Sequence, residues 1–167
     1  MVREYFNTHP LMSIGAAIAV PVMVLSLLWY GESRRNAVTR SLTEAWYTDD
    51  DGKTWYADEK SLEPPIDHDG KTAVRAFVFT CDEGKHDFVA FLERYTPEAK
   101  QALDQAREQM VSEKQPPPIN LFESITRMGM EVKKPGDSEW VNVSNPKAVA
   151  IRKLDCPEGG APQEVTP

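Results

Sequence analysis

The chain has 167 residues, enough for one domain plus a short extension. Its formal charge of −7 makes the body acidic, which repels phosphate backbones and excludes nucleic-acid binding as a function class. The apolar residues, 41% of the chain, are unevenly spread, because the run Leu11 to Tyr30 contains no charged residue at all.

Residues 1–10 read as an N-terminal tail. The uncharged run that follows, 11–30, would measure roughly 30 Å as a helix, the hydrocarbon thickness of a bilayer. Tyr5 and Phe6 precede it and Trp29 and Tyr30 end it, as aromatic rings do at a lipid interface. Pro21 is tolerable as a kink, since lipid forces a helix on any spanning backbone. A cleaved signal peptide would have a shorter apolar core, a basic start and a small-x-small cleavage site; Gly31-Glu32-Ser33 fits poorly. The run therefore predicts a transmembrane helix whose partner is the bilayer. Arg34, Arg35 and Arg40 follow it and only Arg3 precedes it, a bias that argues for a cytoplasmic body. The short N-terminal tail and the two cysteines argue for an extracytoplasmic one, and that placement in a bacterial envelope is the expectation adopted.

Val38, Leu42 and Trp46 recur every four residues and predict a juxtamembrane helix over 31–45. Ala45 to Ala57 carries two aromatic pairs around Asp-Asp-Gly, a hairpin signal. Residues 58–70, polar and broken by Pro64-Pro65, read as a loop. In Thr72 to Cys81, Val74, Ala76 and Val78 alternate with Arg75, Phe77 and Phe79; with His86 to Tyr95 this predicts a central antiparallel hairpin. Thr96-Pro97-Glu98 opens a helix with an N-cap, a proline at N1 and an acid in the first turn. Ala99, Leu103, Ala106 and Met110 give its apolar stripe, and Pro116-Pro117-Pro118 ends it. Residues 119–129 fit either a short helix or a strand. Met130–Lys134 and Glu139–Val143 predict a hairpin, Ala148–Leu154 a last strand, and 157–167 a disordered tail rich in Pro, Gly and Glu. No internal repeat is evident. The fold class expected is α+β: the transmembrane helix, then a soluble antiparallel β-sheet domain over 46–156 with one packed helix.

Four groups of residues invite functional readings. Thr48, Asp50, Gly52, Thr54 and Trp55 match an Asp-box, Ser/Thr-x-Asp-x-Gly-x-Thr-Trp, in which the Asp caps a tight turn and the Trp packs beneath it. One copy implies a stabilised hairpin, not a sialidase-like propeller. The acidic loops 49–51 and 67–69 suggest a small-ligand or cation module. However, Asp67-His68-Asp69-Gly70 lacks the Glu that completes an EF-hand, a position held by Val78. His68 and His86 with nearby carboxylates suggest a hydrolase if one pocket collects them. Cys81 and Cys156 allow a disulfide, two free thiols or, with both histidines, a zinc site; a bridge closing a loop of about 75 residues would contribute about 4 kcal/mol. The pairing is the expected state in an extracytoplasmic domain.

Beyond the span, the stretches Trp46-Tyr-Thr-Asp-Asp-Asp-Gly-Lys-Thr-Trp-Tyr56, Pro64-Pro65-Ile-Asp-His-Asp-Gly-Lys71, Phe91-Leu-Glu-Arg-Tyr-Thr-Pro97 and Asp155-Cys-Pro-Glu158 resemble uncharacterised single-pass membrane proteins of planctomycete-type bacteria. That resemblance implies no activity, no cofactor and no site residue. The expectation from the whole sequence is an anchored structural or interaction domain with no evident catalysis, whose partner is another envelope protein or a second copy.

Overall fold

The computed structural model describes residues 21–30, 39–113, 119–156 and 160–167. It divides the chain into two units, 1–40 and 41–167. In the first, residues 21–30 are helical and exposed throughout. No helix among the described residues is long and apolar enough to cross a membrane. The span expected over 11–30 is therefore described only in its second half, and its first half, like residues 1–10 and 31–38, lies outside the described residues.

The second unit is α+β, with eight strands and three helices among its described residues after a helical turn at 41–43. Strands β1 (Glu44–Thr48), β2 (Tyr56–Glu59), β3 (Ile66–His68), β4 (Lys71–Thr80), β5 (Asp87–Tyr95), β6 (Met130–Lys133), β7 (Val141–Asn142) and β8 (Gln163–Glu164) pair antiparallel. Their main order is β2-β1-β4-β5-β6-β7, with β3 and β8 also on β4. The helices are α1 (Pro97–Glu113), α2 (Ile119–Gly129) and α3 (Pro146–Arg152).

The β4–β5 hairpin is the centre. Phe77 pairs with Phe91 and Val78 with Val89, so Ala90 bulges out of the ladder. Ala76, Val78, Val89 and Leu92 are buried, and Val74, Trp46, Trp55, Trp140 and Val165 pack against them. The alternation expected for β4 holds, for Phe77 stacks on Phe91 at 4.4 Å in a separate aromatic group. Thr96 caps α1 by accepting from the Ala99 N–H, and Ala99, Leu103 and Ile125 join α1 to α2. A third cluster, Val132, Val141 and Ala148, seats α3 on the β6–β7 hairpin.

Several expectations need correction. The juxtamembrane helix does not reach 45: Glu44 and Ala45 already belong to β1, as does Trp46. β-branched and aromatic neighbours favour a sheet there, and Tyr47 finds a buried place in it. Residues 58–70 are not all loop, because Ile66–His68 pairs with β4. Residues 119–129 resolve as a helix, so the sheet carries more than one. The strand expected over 148–154 is α3, started by Asn145, whose side chain accepts from the Lys147 N–H, and by Pro146. That cap outweighs the β-prone Val149 and Ile151. The final strand is instead β8, so the tail is ordered over 160–167: the Val165 N–H donates to the Val78 carbonyl at 2.9 Å. Residues 157–159 lie outside the described residues.

Candidate functional site

The hairpin leaving β1 has the connectivity expected of an Asp-box. Asp50 Oδ1 accepts from Thr48 Oγ1 at 2.9 Å, Lys53 N at 3.1 Å and Thr54 N at 2.9 Å; Oδ2 accepts from Thr54 Oγ1 at 2.7 Å. Thr48 Oγ1 in turn accepts from Gly52 N. The turn needs positive φ at Asp51 and Gly52. Gly52 also passes close to Val89, where a Cβ would sit at 3.2 Å. Hydrogen bonds from Thr54 hold the Asp50 carboxyl down at about 2. Trp55 packs against the main core cluster. The neighbouring Asp51 pairs with Lys133 and accepts from Gly136 N at 2.8 Å, tying the turn to the β6–β7 connection.

A second turn repeats this wiring. Thr80 Oγ1 donates to Asp82 Oδ1 at 2.8 Å and accepts from Gly84 N at 3.0 Å. The N–H groups of Lys85 and His86 donate to Asp82 Oδ1, and Glu83 and Gly84 have positive φ. The shared pattern is Thr-x-Asp-acid-Gly-Lys, at 48–53 and at 80–85. His86 replaces Thr54 as the partner of the carboxylate's second oxygen, and that contact lowers the Asp82 carboxyl well below its usual range. Composition alone predicts only a turn at 82–85; the signal for its wiring is the repeat of the letters at 48–53.

The acidic loops 49–51 and 67–69 come together through Asp49 and His68, and Asp49, Asp50, Asp51 and Asp67 each bond within the chain. Asp49 Oδ2 lies 3.3 Å from His68 Nδ1 and 3.4 Å from Lys71 Nζ, and the His68 contact lowers the Asp49 carboxyl. His68 stacks on Tyr56 at 3.9 Å, and burial pushes the Tyr56 hydroxyl up to about 12. Asp67 accepts from Gly70 N, closing a two-residue hairpin at Asp69-Gly70, where both residues have positive φ. The EF-hand-like letters are thus a tight β-turn followed by a strand. Among the described residues, no group of three His, Cys, Asp or Glu side chains is disposed to hold a metal ion.

His68 and His86 stand at opposite ends of β4: His68 pairs with Lys71, and His86 precedes Asp87, which pairs with Thr80. Ten strand residues put them roughly 30 Å apart, so no single pocket collects both. Cys81 and Cys156 are joined as a disulfide across 75 residues, which removes the free-thiol and zinc alternatives for them.

A polar cavity of about 220 Å³ beside β5 is lined by Glu63, Arg75, Glu93 and Tyr95, among others. One oxygen of each of these two acids is partnered, while Glu63 Oε2 is buried with no hydrogen-bond partner among the described residues. Arg107 reaches Glu63 Oε1 at 2.8 Å, and Arg152 reaches Glu93 Oε1 at 2.6 Å. Burial raises the Glu93 carboxyl, with Arg152 opposing it. Arg107 and Arg152 thus face the two acids of this cavity, and the carboxylates of Asp50 and Asp82 hold their turns.

No protein-family model matches the chain, and neither a curated protein nor a solved structure is similar to it.

Proposed function

We propose that the chain is a membrane-anchored structural or protein-interaction domain of the bacterial cell envelope, held by residues 11–30 and presenting the acidic, disulfide-closed body outside the cytoplasm. The observation that carries this reading is the uncovered apolar helix at 21–30. Leu25, Leu27, Leu28 and Trp29 each expose 60% or more of their surface. Leaving such side chains in water forfeits about 1.5–3 kcal/mol apiece relative to an apolar surrounding. The uncharged sequence continues upstream to Leu11, which gives the length a bilayer requires. The body supports an interaction role because Asp49, Asp50, Asp51 and Asp82 are engaged in its own turns and ion pairs. Its partner is another envelope protein or a second copy.

The test is fractionation of the full chain expressed in a bacterium. Retention in the high-speed pellet through an alkaline wash, with release by detergent, is the expected result. Recovery in the supernatant as a monomer would end the proposal. Protease added outside the cytoplasmic membrane should digest the body if it faces outward and spare it if the arginine bias after the span governs orientation.

A further inference from the structure

Residues 160–167 lie along an edge of β4 that β1 abandons. β1 pairs with β4 only at Tyr47–Arg75 and Thr48–Val74, and further along the same strand β8 pairs Glu164 with Phe79 and Gln163 with Thr80. The attachment is slight. Gln163 and Glu164 are exposed, and Val165 supplies the apolar contact with the main core cluster. Trp46 Nε1 donates to the Val165 carbonyl at 2.8 Å. The backbone at Gly160 lies so close to Cys81 that a Cβ there would sit 2.8 Å from its carbonyl oxygen.

The disulfide fixes where this segment starts. Cys81 is the residue directly after β4, so the bridge roots the tail at the strand end that β8 must find. Without it the root is Arg152, the end of α3, which is seated on β6 and β7. The number of residues between that root and β8 then rises from six, 157–162, to ten, 153–162, and longer loops close less readily. Both cysteines are only half-buried, within reach of a small dithiol.

We propose that residues 160–167 are a redox-controlled latch on the β4 edge. A dithiol passes two electrons and two protons to the Cys81–Cys156 bond; the S–S bond breaks, two thiols form, and the donor becomes a disulfide. The tail then opens from β4 about twofold more often, while the β4–β5 hairpin stays folded. What opens is the row of backbone groups at Val78–Thr80 and the Trp46 indole. An uncovered strand edge of this kind accepts the backbone of another extended chain.

Amide hydrogen exchange of the full chain, with and without dithiothreitol, tests it. Exchange at Val165 and Glu164 should rise at least about twofold on reduction, from loop lengthening alone, while β5 amides keep their protection. Unchanged tail exchange overturns the latch. So does a simultaneous rise across β4, β5 and α1, which would make the bridge a staple of the whole body. Gly160→Ala with the bridge intact is the second arm: the tail should loosen while β5 does not, and a tail as protected as in the parent chain also overturns the proposal.

Discussion

Asp50 and Asp82 hold the same place in two copies of one turn, each gathering a threonine hydroxyl and two backbone N–H groups onto a single carboxylate oxygen. The copies differ in what depends on them. The turn at Asp50 carries Trp55 into the core and Asp51 to Lys133, whereas the turn at Asp82 ends in His86, whose side chain is 88% exposed. Asp50→Ala should therefore lower the thermal midpoint more than Asp82→Ala. Equal losses in scanning calorimetry would mean that Trp55 packs independently of its turn.

The same carboxylate sets an acid limb. Its folded-state value of about 2 lies below the ordinary value near 3.9, so the unfolded chain takes up the proton first. Stability from Asp50 is whole above that ordinary value and is lost as pH falls through about 2. Asp49, lowered by His68, adds in the same direction. Thermal midpoints between pH 6 and pH 1.5 should fall less steeply for Asp50→Asn than for the parent chain. An unchanged slope would assign the acid limb to other carboxylates.

The first turn was legible because its full pattern, Thr48 through Trp55, is local. Pattern reading missed the second because His86 and Asp87 stand where Thr and Trp complete the motif. The central hairpin was legible from alternation, a period-2 signal that needs no knowledge of neighbours. β8 was not, since two residues, Gln163 and Glu164, carry no periodicity; only the edge offered by β4 and the Trp46 indole make a strand of them. For α3, the β-prone Ala-Val-Ala-Ile run masked the Asn145-Pro146 start signal. Of the candidate site, the spacing of the cysteines left bridge, thiols and zinc open. The separation of His68 and His86 depended on the length of β4, which only the folded register fixes.

Arg152 is the cation facing buried Glu93, whose own exposure is 8%. Arg152→Met leaves that carboxylate without its hydrogen-bonded cation, with only the field of Arg75 opposing its burial, and should destabilise the body by about 3 kcal/mol at neutral pH. Burial raises the Glu93 carboxyl, so the sign runs opposite to that of Asp50: the charged form is the disfavoured one, and its cost is relieved as pH falls below the raised value. The deficit of Arg152→Met measured by urea unfolding should shrink toward pH 4. Adding Glu93→Leu should restore most of the loss, and failure of both effects would show that Glu93 is solvated in the folded chain.

Tyr47 is fully buried, and its single O–H is shared between two carbonyls, Glu59 at 2.9 Å and Leu62 at 3.1 Å. It pins the β2 end and the loop after it to β1. Tyr47→Phe keeps the ring but leaves those carbonyls without this donor, at a cost of about 1–3 kcal/mol. Denaturant midpoints measure the loss, and amide exchange at Leu62 should rise with it. The Glu59 carbonyl keeps the Leu62 N–H, so a variant as stable as the parent would mean that water reaches the Leu62 carbonyl.

Gly129 ends α2 where it meets the start of α1, and a Cβ there would overlap the Cβ of Ala99. Neither group can rotate away, because an alanine methyl has no torsion that moves it. The two helices must separate, and with them the Ala99–Leu103–Ile125 contacts. Gly129→Ala should accordingly cost about 1–3 kcal/mol, the range for forcing extra volume into a packed interior. The hydrogen bond from Thr96 N to the Gly129 carbonyl, which joins β5, α1 and α2 at one point, should weaken with it. The compensating change is Ala99→Gly, which vacates the volume the new methyl requires. If steric overlap is the cause, the double variant recovers most of the lost stability despite the helix penalty of a new glycine, about 1 kcal/mol. If instead the two losses simply add, the intolerance at 129 belongs to its backbone, and the close approach of the helices is not what demands glycine.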